Sequence, residues 1–183
     1  MEETTASLEV RGADALDRDA RNEICVLCTL AYDENFEALF DLLPFSTHVL
    51  ARGSNGQLVS HAAWVTRLLQ PDGHDPLKTA YVEAVATDPR FTGRGLGSAV
   101  MRRLIDAVVE RDYELAALSP SDSDFYERLG WELWRGPLAI RTDRGLEPTP
   151  VEEEVMIFRL PRTPPTIDLT TLLTAEYRAG DLW

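Results

Sequence analysis

The stretch YVEAVATDPRFTGRGLG, Tyr81 to Gly97, changes character halfway along. It begins as an apolar, β-branched segment around a single glutamate, and the spacing predicts a strand over 78–87. It ends in a loop with glycines at 93, 95 and 97, flanked by Arg90 and Arg94. Beyond it, Val100, Leu104 and Val108 recur with Met101, Ile105 and Val109 on one helical face, opposite Arg102, Arg103, Asp106 and Glu110. A helix start exposes backbone N–H groups and a partial positive charge, and glycines let that backbone approach an anion closely. The loop is therefore suited to phosphate.

Neither common nucleotide motif accounts for it. A P-loop needs Gly-Lys-Ser/Thr, whereas Gly97 is followed by Ser98 with no lysine between. A dinucleotide fingerprint needs G-x-G-x-x-G, and the spacing here is G-x-G-x-G.

The rest of the chain sets bounds. With 183 residues, 44% hydrophobic and 27% charged, it reads as one soluble globular domain. The formal charge of −13, from 31 acidic and 18 basic residues, leaves no broad basic face for nucleic acid and permits attraction of a cationic ligand. No apolar run approaches the roughly 20 residues that cross a bilayer, and the start MEETTASLEV does not read as a signal peptide. The expected location is the cytoplasm, with no membrane partner. Cys25 and Cys28 lie inside an apolar helical segment without further ligands, so they are expected to be buried structural thiols and no metal site is expected.

Outward from the loop, Leu8 to Arg11 reads as a strand and Asp14 as the N-cap of a helix through Leu30. Phe36 to Leu43 reads as a short helix stopped by Pro44. A hairpin follows, with strands at 48–51 and 58–69 around Gly53-Ser54-Asn55-Gly56. After the long helix come a strand at 115–118, a short helix over 122–129 ended by Gly130, and strands at 133–142 and 155–160. This order is a mixed α/β (α+β) layer and not an alternating βα series.

The motif Arg90-x-x-Gly93-Arg94-Gly95 resembles the Q/R-x-x-G-x-G/A signature of the GCN5-related N-acetyltransferases (GNAT). Ser123-Asp124-Phe125-Tyr126-Glu127-Arg128-Leu129-Gly130-Trp131 resembles that family's A-x-x-F-Y-x-x-x-G-F/W segment. Within the family the chain looks most like the aminoglycoside 2′-N-acetyltransferases, through SHAAW, YVEAVAT, ALSPS, GWELWRGP and the terminal YRAGDLW. The match is weakest over Asp33 to Asp41.

The resemblance implies one GNAT domain over 1–183, built on a mixed, mostly antiparallel sheet splayed at the acetyl-CoA strand and flanked by helices. Residues 161–183 would contribute to the acceptor site. It implies that backbone groups of Val85, Ala86 and Thr87 hold the pantetheine arm of acetyl-CoA. Arg90, Thr92, Gly93, Arg94, Gly95, Leu96, Gly97 and Ser98 would take its pyrophosphate. Glu83 is implied as base, Tyr126 as acid toward the thiolate, and the terminal carboxylate of Trp183 as sharing the base's work. Glu83, Ser119, Asp122, Asp124, Asp181 and Trp183 would face the amine, with Asp33 and Asp41 as further acidic candidates. The expected acceptor is a cationic small-molecule amine, an aminoglycoside, acetylated by direct attack with a resistance role. A homodimer is expected from kinship. A kasugamycin-type aminocyclitol, a polyamine or a protein N-terminus stay open as acceptors, and so does an acyl-CoA-binding module without turnover.

Overall fold

The computed structural model describes residues 6–150, 152–178 and 183. The chain divides into two compact units, Met1–Val65 with Val82–Ala107, and Thr66–Tyr81 with Val108–Trp183.

The first unit holds β1 (Ser7–Gly12), α1 (Arg18–Tyr32), α2 (Leu39–Leu42), β2 (Thr47–Arg52) and the first half of β3 (Leu58–Pro71). It also takes the second half of β4 (Leu77–Thr87) and most of α3 (Leu96–Val109). β1, β2 and β3 run antiparallel, with Ser7 opposite Arg52 and Thr47 opposite Trp64. Val49, Leu50 and Ala51 are all buried, so β2 is covered on both faces. Helix α1 packs Ile24, Leu27 and Cys28, spaced i, i+3, i+4, into a core with Leu39, Leu50 and Leu58.

Its start differs from the reading above. Asp14 falls in a 3-10 turn over Ala13–Ala15, and the N-cap is Asp17, whose Oδ1 accepts from the Ala20 N–H at 2.8 Å. Both aspartates precede the apolar periodicity, so the capping chemistry alone does not choose between them. The second helix is also shorter than expected, because Phe36 and Ala38 supply turn hydrogen bonds ahead of it. Cys28 is fully buried as expected, whereas Cys25, one helical position off the apolar stripe, is only half-buried.

The second unit contains β5 (Leu115–Leu118), α4 (Ser123–Glu127), β6 (Glu132–Leu133), β7 (Leu138–Thr142), β8 (Gly145–Pro148), β9 (Met156–Arg159) and β10 (Leu173–Glu176). β4 pairs parallel with β5 from Thr79–Leu115 to Tyr81–Ala117, and β9 runs antiparallel between β5 and β6. β10 lies between β3 and β7, antiparallel to the first and parallel to the second. The mixed, mostly antiparallel α/β class is the one expected.

The expected strand over 133–142 is interrupted between β6 and β7. The Arg135 and Gly136 N–H groups both donate to the Leu169 carbonyl, at 2.8 and 2.9 Å, and Trp134 Nε1–H donates to the Thr171 carbonyl. Gly136 lies so close to that segment that a Cβ there would fall 1.8 Å from the Thr171 oxygen. No helix among the described residues is long and apolar enough to cross a membrane.

Two substitutions test this account by urea denaturation. Asp17→Ala is expected to cost about 1 kcal/mol while Asp14→Ala costs under about 0.5 kcal/mol, since only the first removes a cap. Gly136→Ala should cost roughly 3 kcal/mol, because the obstacle is backbone that has to move as a unit.

Candidate active site

The second half of β4 contains a backbone irregularity. Ala84 has φ +51°, left-handed, in the interior of a strand. For a residue with a Cβ that conformation costs on the order of 1–2 kcal/mol and persists only where the surroundings impose it. Three successive carbonyls here accept side-chain hydrogen bonds. His61 Nδ1–H donates to Ala84 at 2.8 Å, the Tyr32 hydroxyl to Val85 at 2.7 Å, and the Ser60 hydroxyl lies 3.0 Å from the Ala86 oxygen. Ser60 Oγ is also 2.8 Å from Thr87 Oγ1. Glu83 and Val85, on either side of Ala84, are half-buried.

His61 belongs to a buried polar chain. Its Nε2 lies 2.9 Å from His48 Nδ1, and His48 Nε2 lies 2.8 Å from Ser46 Oγ. The Ala84 oxygen only accepts, so with neutral rings the order of protons is fixed. His61 carries its proton on Nδ1 and accepts at Nε2 from His48 Nδ1–H, which leaves His48 Nε2 as an acceptor that shares the single Ser46 hydroxyl proton with the Leu43 carbonyl. Burial holds both imidazoles in that neutral form. His48 is lowered to about 3, by desolvation and then by His61 and Arg21, and His61 to about 4, by desolvation against the opposing Ala84 bond. Burial likewise pushes the Cys28 thiol up to about 12.

After β4 the chain turns at Asp88, a buried carboxylate that accepts from the Arg90 N–H at 2.9 Å and from its guanidinium at 2.6 to 3.2 Å. Those bonds hold the Asp88 carboxyl below the usual range. Arg90 and Arg94 lie 5.9 and 5.1 Å from the Phe91 ring. Gly93 and Gly95 have φ +72° and +77°, the left-handed region that glycine enters without cost, and nothing lies within 4 Å of where a Cβ would sit. The Ala99 N–H makes the first helical bond, to the Gly95 carbonyl. The N–H groups of Leu96, Gly97 and Ser98 therefore precede the α3 ladder and have no carbonyl of their own helix to bond, the arrangement that receives an anion at a helix start.

Most of the remaining candidates fall in the second unit. Tyr126 is buried, 5% exposed, with its ring against Phe125 and Trp131 at 5.0 and 6.0 Å. Burial, then the nearby Asp122 charge, pushes its phenol up to about 12, so it is protonated throughout neutral pH. Asp122 caps α4 through the Phe125 N–H, while Ser119 and Asp124 are exposed. The Trp183 indole is buried and donates to Thr149 Oγ1 at 2.8 Å. Asp181 lies outside the described residues. In the first unit Asp33 ends α1 in left-handed backbone and lines a groove of about 620 Å³ with Cys25, Thr29, Glu34 and Glu37. Asp41 is exposed and away from that lining.

Residues 21–134, more than half the chain, match the family described as Acetyltransferase (GNAT) domain. The chain belongs to the GNAT acetyltransferase family. It is 38% identical over 135 residues to an aminoglycoside 2′-N-acetyltransferase of Mycolicibacterium fortuitum, covering 70% of this chain and 67% of that one. Its fold is similar to a GNAT family N-acetyltransferase of Escherichia coli solved with CoA, with a TM-score of 0.65, 20% identity, and 95% and 91% of the two chains covered. A GNAT family acetyltransferase of Brucella melitensis solved with acetyl-CoA matches at TM-score 0.59 and 16% identity, over 94% of this chain and 97% of that one. The chain spans about a third of the length of some larger solved relatives, such as 32% of one from Enterococcus faecalis. By family the chain is an N-acetyltransferase whose acyl donor is acetyl-CoA, and the open glycine cradle ahead of α3 fits that donor's pyrophosphate.

Sequence reasoning missed Tyr32, His48, Asp88 and the roles of Ser60 and His61. The available signal was two histidines, His48 and His61, embedded in otherwise apolar strands, where an imidazole needs internal partners.

The two histidines make stability depend on pH. Their folded values lie below the ordinary imidazole value, so the unfolded chain binds protons that the folded chain refuses. Stability is complete above pH 6.5 and is lost as pH falls toward 4, at up to roughly 1.4 kcal/mol per pH unit for each histidine. Urea midpoints measured from pH 7 to 4.5 check this. An unchanged midpoint would mean that the pair charges in place.

Proposed function

We propose that this GNAT enzyme acetylates an amino group, the 2′-amine, of an aminoglycoside, and that this confers resistance. The observation that carries the substrate class is the 38% identity to an aminoglycoside 2′-N-acetyltransferase across 70% of the chain. The net charge of −13 accords with a polycationic acceptor, as does the acidic lining of the groove beside Asp33.

In this reading Val85, Ala86 and Thr87 bind the pantetheine arm along the end of β4. The first-turn N–H groups from Leu96 to Ser98, with Gly93, Gly95, Thr92, Arg90 and Arg94 around them, bind the pyrophosphate. When bound, acetyl-CoA supplies an acetyl group activated as a thioester. The Val85 N–H donates to the thioester oxygen as negative charge builds there. Glu83 takes a proton from the acceptor amine, through water, as its nitrogen bonds to the acetyl carbon. The Tyr126 phenol gives its proton to the sulfur as the carbon–sulfur bond breaks. Because burial raises the phenol to about 12, that transfer lags behind bond cleavage, and its hydrogen bond to the sulfur strengthens first, as thiolate charge develops. Asp181 and Trp183 face the acceptor, with the Asp181 carboxylate binding its ammonium groups. Acid–base pairing without a covalent enzyme intermediate gives direct transfer in a ternary complex.

Thiol release from acetyl-CoA, measured with a panel of aminoglycosides, kasugamycin, spermidine and peptides, tests the substrate. Turnover of 2′-amino aminoglycosides, with the product acetylated at that amine, is expected. Turnover of spermidine or peptides alone would overturn the substrate class. Glu83→Gln should lower kcat about 100-fold and remove the acidic limb of the pH–rate profile. Tyr126→Phe should lower kcat by about tenfold or more with KM nearly unchanged. A wild-type profile in either variant would remove that residue from the chemistry.

A further inference from the structure

We propose that Tyr32, His61 and Ser60 are positioning residues for acetyl transfer, holding Ala84 left-handed and thereby aiming Glu83 and the Val85 N–H. This rests on the functional reading above, in which those two groups are base and oxyanion donor. No cofactor contact is asked of the three residues themselves.

The geometry behind it is a row of three donors on three consecutive carbonyls. His61 takes Ala84, Tyr32 takes Val85 and Ser60 takes Ala86. The donors come from two elements, α1 and β3, so β4 is gripped by both. In a regular strand residues 83 and 85 share a face and repeat the same N–H direction. One left-handed residue between them breaks that repeat, so the side chain of Glu83 and the N–H of Val85 are set independently of each other. An alanine has no intrinsic reason to adopt φ +51°, and unlike glycine it reports that the surroundings impose it.

Two details make the grip directional. Ala84's carbonyl only accepts, so His61 serves only with its proton on Nδ1, and the His48–Ser46 chain behind it satisfies Nε2 in that same tautomer. Tyr32 stacks on Phe36 with ring centroids 5.1 Å apart, which fixes the direction from which its hydroxyl reaches Val85. His61 and Ser60 are fully buried, so neither donor is exchanged for water.

The test compares Tyr32→Phe, His61→Leu, the double variant, and His61→Asn, whose amide N–H stands where Nδ1–H does. Steady-state thiol release gives kcat and KM for acetyl-CoA, and carbon-13 shifts of Ala84 report its backbone. In the double variant kcat should fall about tenfold or more while KM for acetyl-CoA stays within about threefold, because the pyrophosphate cradle is untouched. His61→Asn should recover most of the kcat lost in His61→Leu, and the Ala84 shifts of the double variant should move to extended values. Retention of left-handed shifts in the double variant overturns the proposal, whatever the rates do. So does a fall in kcat that His61→Asn fails to reverse. Where His61→Leu does not fold, Tyr32→Phe alone is judged, with a smaller fall in kcat at constant KM and an altered Val85 carbonyl shift expected. If the wild-type enzyme releases no thiol with any amine, the functional reading fails, and the Ala84 shifts decide the positioning separately.

Discussion

One alanine in β4 adopts a backbone that alanine disfavours, and the neighbouring side chains are arranged around that fact. Its cost of about 1–2 kcal/mol is comparable to the net gain from one or two buried hydrogen bonds. Three are made to the carbonyls of Ala84, Val85 and Ala86, so the balance favours the kink. The arrangement explains why a histidine, a serine and a tyrosine sit in an otherwise apolar layer. Each is oriented by a carbonyl, and each would be costly there without one.

The same constraint reaches further back. A buried imidazole that must donate at Nδ1 needs an N–H aimed at its Nε2, and His48 supplies it. His48 Nε2 then faces the Ser46 hydroxyl at 2.8 Å, whose single proton is divided between that nitrogen and the Leu43 carbonyl at 2.6 Å. The polar chain thus runs from the end of α2 across β2 and β3 to the kink in β4. Its members are desolvated enough to stay neutral, which keeps one proton order and one geometry. Acid is the condition that breaks it, since a second proton on either ring brings a charge with no carboxylate bonded to it in the chain.

Much of the site was legible in the sequence because it depends on local chemistry. The glycines of the loop, the apolar period of α3 and the β-branched run of β4 each announce themselves within a dozen residues. What stayed hidden depends on partners far along the chain. The kink is carried by an alanine, a residue type that gives no hint of left-handed backbone. β10 lies in a tail that follows the prolines at 161, 164 and 165, and is a strand only because β3 and β7 leave a place between them. The break before β7 was read through because Gly136 and Pro137 follow a strand-like start, while the reason for the break is the backbone of residues 169–171. The choice of Asp17 over Asp14 as cap is likewise decided by the 3-10 turn that the Leu16 N–H closes onto the Ala13 carbonyl, while the Ala13 N–H is anchored on the Ser46 carbonyl.

The opposition between an acidic chain and an anionic acyl donor resolves on distance. A net charge of −13 acts over a Debye length of about 8 Å at physiological salt, where it repels phosphates and attracts ammonium groups. Inside that range the loop offers backbone N–H groups at hydrogen-bond distance, and these do not depend on net charge. Arg90 adds less positive charge than its position promises, because Asp88 holds its guanidinium in a bidentate pair. What the pair contributes is shape: it closes the turn after β4 and delivers the chain to Gly93 in a fixed direction. The loop is therefore better described as a geometric cradle for an anion than as a cationic patch. Under the proposed function, that is what lets a strongly acidic chain, which attracts ammonium groups, also hold the phosphates of CoA.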